Sequence, residues 1–308
     1  MDSLQTQPVA RQISSVRWLP PRAGSAYTDS ELYFVSGSRG KHKELILWTT
    51  ENPDFQQQQA NSSNGDSALA TLVAKAKHDG NVEQIAAPRP DTVATVSSYG
   101  TISIYNVDTS SGSGSLALRE SVTAHRFANG EPAVATGVAV QPTAGADAEV
   151  ASCGEDGRVA CAPLSRLDAL QQYEVDSTVV TGVCWLSPKQ LAVSTRGGQV
   201  KLFDRRAMDE ASAVFIDPSH AYALESIAVH PSQSFRVATG TDQGTVLLWD
   251  IRNPKQPSME VFNVHESNVW AVQFHPTDAA KIVSCSEDAS IAITQWLADS
   301  PDDGARRP

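Results

Sequence analysis

Seven histidines (His42, His78, His125, His220, His230, His265 and His275) and two acidic pairs, Glu155-Asp156 and Glu287-Asp288, are the residues best suited to move protons. For catalysis they would have to converge on one carbonyl, phosphate or water, and their placement argues against it. Six of the histidines fall where an extended run starts or stops, and His42 lies in a loop-like stretch. Each acidic pair sits in a turn, "CGEDGRV" or "CSEDAS", where the Asp accepts turn amides and the neighbouring Glu faces water. No GxSxG, HExxH, P-loop or dinucleotide pattern occurs. Cys153, Cys161, Cys184 and Cys285 include no CxxC pair and no histidine at zinc spacing. Cys153 and Cys161 flank one turn and read as small buried apolar residues of a reducing compartment. No loop offers the closely spaced oxygens that calcium needs. The expectation is a protein with no catalytic residues, no cofactor, no metal and no small-molecule substrate.

Charge narrows the partners. Lys and Arg total 24 against 35 Asp and Glu, a net charge of −11. Nucleic-acid binding draws its affinity from basic groups that displace counterions, and no dense Lys/Arg run is present, so no nucleic-acid partner is expected. An acidic surface suits basic protein partners. With 41% hydrophobic and 19% charged residues the chain can bury a core. No apolar run approaches the ~20 residues of a membrane span and no leader is evident, so a soluble intracellular protein without membrane insertion is expected.

The elements that hold these residues follow one template. In "FRVATGTDQGTVLLWD" a strand ends small, a polar turn carries Gly244, and an alternating strand ends on Trp249. The same layout places Gly100 with Tyr105, Gly157 with Ala162, Gly198 with Phe203 and Ala289 with Thr294, while Trp48 matches across a longer turn. Successive anchors from Trp48 to Thr294 are 57, 57, 41, 46 and 45 residues apart. A period of about 40 to 45 residues is that of a propeller blade. The excess coincides with polar low-complexity insertions near 51–67, 109–115 and 143–148, which read as surface loops.

Ahead of each hairpin lies another strand candidate that meets proline, as in "VRWLPP", "VEQIAAPRP", "VCWLSP" and "VQFHPT", and fourth strands such as "SAVFID" precede these. The fold class predicted is therefore all-β, a propeller of six four-stranded blades over residues 13–297, each sheet sheltering the next. The 298–308 tail reads as charged and disordered. Either six blades close, with residues 1–12 supplying the outer strand of the last, or a seventh blade is absent. Mostly apolar inner strands and alternating outer ones are expected.

With "LLWD" closing a hairpin and histidines leading the first strands, residues 10 to 296 resemble the WD-repeat family, in which a seventh blade is usual. That resemblance implies a blade framework: a His before the first strand, a Ser or Thr on the second, an Asp in the turn and a Trp on the third, joined by hydrogen bonds. The matching residues are His220, Thr239, Trp249 and Asp250 in the fifth unit, His265, Ser284 and Asp288 in the sixth, and Asp156 in the third. No unit has the whole set, because Asp242 falls one place early and Thr294 replaces the last Trp. The ordered strings "QISSVRWLPP", "SCGEDGRV", "LLWDIR", "VWAVQFHPT" and "CSEDAS" further resemble the 43-kilodalton WD-repeat nucleoporin family of the nuclear pore's Y-shaped outer-ring complex. This implies a non-catalytic scaffold at the nuclear envelope, supporting protein and mRNA transport and docked on an α-helical scaffold nucleoporin of the short arm. The partner-contacting residues are not legible. An alternative resemblance lies in "WDIR", which is similar to the WDxR pattern of substrate receptors for cullin-type ubiquitin ligases and would make Arg252 an adaptor contact. First-strand Trp18, Trp185, Trp270 and the Phe274-His275 pair are expected in the core between blades, not at an exposed hot spot.

Overall fold

The computed structural model describes residues 12–21, 31–51, 70–109, 114–142, 148–217, 221–252, 258–276 and 278–295. The chain divides into two compact units, residues 1–174 and 175–308. Each holds three antiparallel sheets, so the molecule is an all-β propeller of six blades.

In the first unit, blade one runs β1 (Gln12–Trp18), β2 (Glu31–Arg39), β3 (Glu44–Glu51) and β4 (Thr71–Lys77). Blade two is β5 (Val82–Arg89), β6 (Thr92–Ser97), β7 (Thr101–Asp108) and β8 (Ser115–Thr123). Blade three is β9 (Ala135–Val140), β10 (Glu149–Gly154), β11 (Arg158–Pro163) and β12 (Gln171–Glu174), with one 3₁₀ turn at Leu167–Ala169 before β12. In the second unit, blade four is β13 (Val180–Ser187), β14 (Gln190–Thr195), β15 (Gln199–Asp204) and β16 (Ala213–Ile216). Blade five is β17 (Leu224–Val229), β18 (Arg236–Thr241), β19 (Thr245–Asp250) and β20 (Ser258–Asn263). Blade six is β21 (Val269–Phe274), β22 (Lys281–Ser286) and β23 (Ile291–Gln295).

Strands of every sheet pair in sequence order. Five sheets have the expected four strands, and the sixth has three among the described residues. The outer strand proposed from residues 1–12 lies outside the described residues except for Gln12, which opens β1 opposite Arg39 in blade one. Most of the three insertions and the 298–308 tail also lie outside them.

The hairpin joining second to third strand fixes the register of each blade. Gly100, Gly157, Gly198 and Gly244 have φ between 73° and 79°, the left-handed region that a Cβ disfavours. Ala289 occupies the same place in blade six at φ 65°. Proline stops the first strand within two residues in five blades, but Pro88 lies inside β5, where the register shifts between Ala86 and Arg89. That shift leaves the missing N–H outside the regular ladder.

Burial corrects one expectation. In blades two, three and five the second strand is more buried than the first, with β6 buried throughout and β10 and β18 nearly so while β5, β9 and β17 are mixed; in blade four β13 is buried as deeply as β14. A second strand is paired on both edges, and a first strand on one only. Fourth strands alternate, as in β8 and β16.

The core forms between successive sheets. In the second unit, Ala238, Val246 and Leu248 of blade five pack against Val269, Val272, Phe274 and Ile282 of blade six. The opposite face of blade five, with Val237, Leu247 and Trp249, packs against Ala192, Val200 and Leu202 of blade four. Within each unit a blade thus turns a leading face towards the blade that follows and a trailing face towards the one before. The first unit repeats this, with Val35, Leu45 and Leu47 under blade two and Ala94, Ile102 and Ile104 under blade three.

Candidate functional site

The polar residues inside the blades form one recurring arrangement. Five residues before the turn anchor, the middle of the second strand carries Thr95, Ser152, Thr239 and Ser284, all buried; the same strand position in blade one is Ser36. Blade four has Val193 there. Each hydroxyl meets a ring nitrogen. Trp48 Nε1–H donates to Ser36 Oγ at 2.7 Å and Trp249 Nε1–H to Thr239 Oγ1 at 2.8 Å. In the other three blades a histidine takes over. His78 Nε2 and Thr95 Oγ1 share a hydrogen bond of 2.9 Å, His125 Nε2 and Ser152 Oγ one of 2.7 Å, and His265 Nε2 and Ser284 Oγ one of 2.8 Å.

The second ring nitrogen ties the histidine to a turn. His125 Nδ1 lies 2.9 Å from Asp156 Oδ1, and that carboxylate also accepts the backbone N–H groups of Arg126 and Arg158. Burial disfavours the charge of Asp156, but the His125 contact and these amides outweigh it and hold the carboxyl below its ordinary range. His265 Nδ1 meets Ser290 Oγ at 2.7 Å and Asp288 Oδ2 at 3.4 Å, while Asp288 accepts the backbone N–H groups of Glu266 and Ser290. In blade two, His78 Nδ1 meets the Gly80 carbonyl at 3.0 Å, and burial pushes the His78 pKa down.

Among the sequence-derived framework residues, the fold brings together Thr239 with Trp249, and His265 with Ser284 and Asp288. Asp156 joins His125 and Ser152, which were not in that set. His220 lies outside the described residues. Asp242, one place early, accepts the Ala223 N–H at 3.0 Å. The missed hydroxyls Thr95 and Ser152 were findable by counting five residues back from Gly100 and Gly157, a distance set by the hairpin and not by residue type. The carboxylates are engaged with turn amides and the histidines with buried hydroxyls, which is the chemistry of a fastening. No group of three or more His, Cys, Asp or Glu is placed to hold a metal ion among the described residues. Cys153 and Cys161 stand opposite Val159 and Ala151, not each other, and burial pushes the Cys153 thiol up to about 12.

Asp250 faces outward at the end of β19. Its carboxylate receives Arg252 Nε–H at 2.9 Å and a second donor from the same guanidinium, which also lies 4.2 Å over the Phe235 ring. Asp204 and Arg206 repeat this clamp at the end of β15. The Asp250–Arg252 pair is therefore also a way of ending a third strand, independent of any adaptor.

Three residues expected in the core, Trp18, Trp270 and His275, are exposed. Trp18 is 58% and Trp270 48% accessible, whereas Trp185 and Phe274 are buried. Trp18 stands on the trailing face of blade one, edge-on to Phe34 at 5.2 Å, whereas the equivalent Phe274 packs against blade five. Trp270 sits where the β21–β22 register shifts between Val269 and Ala271, which turns it away from the regular alternation. Blade six also exposes Ile291 by 76% and Ile293 by 70%.

Comparison with known proteins agrees with this architecture. Residues 146–300, half of the chain, match the β-propeller family described as nucleolar protein 10-like, N-terminal domain. The chain is 26% identical to human nucleoporin Nup43 over 98% of its own length and 78% of that protein. Mouse Nup43 is 25% identical over the same shares. The Arabidopsis thaliana nuclear pore complex protein NUP43 is 28% identical over 48% of each chain. The chain belongs to the nucleolar protein 10-like β-propeller family and is a WD-repeat propeller similar to the nucleoporin Nup43 along nearly all of its length.

Proposed function

We propose that this chain is a structural nucleoporin: a rigid, non-catalytic docking propeller in the Y-shaped complex of the nuclear pore, held by an α-helical scaffold nucleoporin of the short arm and supporting nucleocytoplasmic transport from the nuclear envelope. The observation that carries the reading is the similarity to Nup43 along nearly the whole chain. The geometry is compatible with it, because the polar groups of the blades are spent on internal fastening and leave recognition to surface and loops. Proteins of this kind bind through patches of ordinary interface composition and require no cofactor. Tagging the chain at its own locus tests the reading: a signal at the nuclear rim and co-purification of outer-ring nucleoporins are expected, and a diffuse signal overturns it. Arg252→Ala separates the ligase-receptor alternative, since loss of a cullin adaptor from the purified complex would favour that reading and unchanged recovery of nucleoporins the first.

A further inference from the structure

Between blades two and three of the first unit lies a polar cleft of about 390 Å³, within the size range of ligand sites. Hydrogen bonds hold both of its walls. On one side the β5–β6 turn is closed by the Val107 N–H, which donates to the Asp91 carbonyl at 2.9 Å, and by the Thr92 hydroxyl, which donates to Asp91 Oδ1 at 2.9 Å. On the other side the chain after β11 is fastened to β8: Arg119 Nη2 donates to the Leu164 carbonyl, and Glu120 Oε1 accepts the Leu167 N–H at 3.1 Å. Donors gather between these walls. Arg89 lines the cleft from the end of β5, at the register shift between Ala86 and Arg89, an irregularity of the kind that re-aims a side chain. Arg119 lines it from β8, Asn106 from the end of β7 and Ser165 from the loop after β11. No hydrogen bond or ion pair among the described residues engages the Arg89 guanidinium, the Asn106 amide or the Ser165 hydroxyl. Asp91 is the one carboxylate among the described lining residues, so two guanidinium charges stand against one negative charge, a local positive surplus in a chain of net charge −11.

We propose that this cleft binds the phosphoryl group of a phosphoserine or phosphothreonine in a partner polypeptide. Two arginines arriving on different strands suit a tetrahedral dianion, which can take a donor fork from each, whereas a planar carboxylate is filled by one fork. The Ser165 hydroxyl and the Asn106 amide supply further neutral donors for the remaining phosphoryl oxygens. Asp91 selects between a free phosphate and a phosphorylated chain. Its charge repels an isolated anion, while the oxygen not engaged by Thr92 is an acceptor for an N–H, which a peptide backbone offers and inorganic phosphate does not. Because both walls are already hydrogen-bonded within the unit, little ordering is left for the ligand to impose. The proposal does not depend on the pore reading, since a phosphorylated partner in any assembly satisfies it and absence from the nuclear rim leaves it standing.

The test titrates the full chain with a degenerate set of short peptides carrying a central phosphoserine, with the same peptides carrying Ser or Glu there, and with inorganic phosphate. The expected result is a subset of phosphopeptides bound about tenfold or more tighter than their Ser and Glu forms and than inorganic phosphate, with slowed hydrogen exchange at the β5–β6 turn and the end of β7. Arg89→Ala should weaken that binding by about tenfold or more with the melting midpoint unchanged, because its guanidinium has no partner among the described residues, and Arg89→Lys should recover only part of it. Asp91→Asn keeps the acceptor for Thr92 and should tighten inorganic phosphate, narrowing the advantage of the phosphopeptide. Equal binding of phosphorylated and unphosphorylated peptides overturns the proposal, as do inorganic phosphate that binds as tightly as the best phosphopeptide, protection confined to other parts of the chain, and phosphopeptide binding that survives Arg89→Ala.

Discussion

Blades five and six are built on the same template and differ in what surrounds them. Blade five has four strands, Gly244 at its turn, Trp249 bonded to Thr239, and a neighbour against each face. Blade six has three described strands, Ala289 at its turn, Thr294 in place of the Trp, and packing against blade five on one face, while Ile291 and Ile293 on the other are exposed. Its apolar pattern is intact, yet Ile291 and Ile293 are in water while Val246 and Leu248 are buried. An alternating strand therefore specifies which side chains could be buried, and the adjoining sheet decides whether they are.

The largest expected contrast lies at the end of the third strand. Trp249→Ala removes a fully buried side chain and orphans the Thr239 hydroxyl, and should destabilise the fold by about 3 kcal/mol or more, whereas Thr294→Ala should cost less than about 1 kcal/mol. Equal denaturation midpoints for the two variants would break the comparison. The turns come next. A Cβ on Gly244 would stand 2.0 Å from the His265 carbonyl oxygen, so Gly244→Ala forces the chain apart and should lose about 1 to 3 kcal/mol. Ala289→Gly relieves a left-handed alanine and should gain about 0.5 to 1 kcal/mol, read as a higher melting temperature. The smallest effect concerns acid. The Ser290 hydroxyl and the Glu266 amide, against some desolvation, hold the Asp288 carboxyl well below the usual carboxylate range. A depressed folded pKa means stability that is complete above the unfolded value of about 4 and is lost as pH falls further. Asp288→Asn should therefore flatten the acid side of the melting curve, while Gln243→Asn at the matching site of blade five leaves it unchanged.

Much of the fold was legible because the repeat is written in turn chemistry. A glycine after polar residues, followed five positions on by the end of a third strand, located four of the six hairpins, and the positive φ of Gly100, Gly157, Gly198 and Gly244 is the physical reason. The number of blades and the equivalence of their strands follow from that spacing. The framework was legible only in part, since it was sought through the residues that the resemblance supplied and His78 and His125 act where no Trp is present. The exposure of Trp18 and Trp270 was not legible, because local pattern marks an apolar position and carries no information on whether a neighbouring sheet is there to bury it.

The hydroxyl in the middle of five of the second strands works as a socket with two plugs. An indole from the third strand of its own sheet can fill it, as in the first and fifth blades, or an imidazole arriving on the loop ahead of the blade, as in the second, third and sixth. A repeat can therefore lose its tryptophan without leaving the hydroxyl stranded, and a search that counts repeats by their Trp-Asp ending will miss copies that are fastened from the other side.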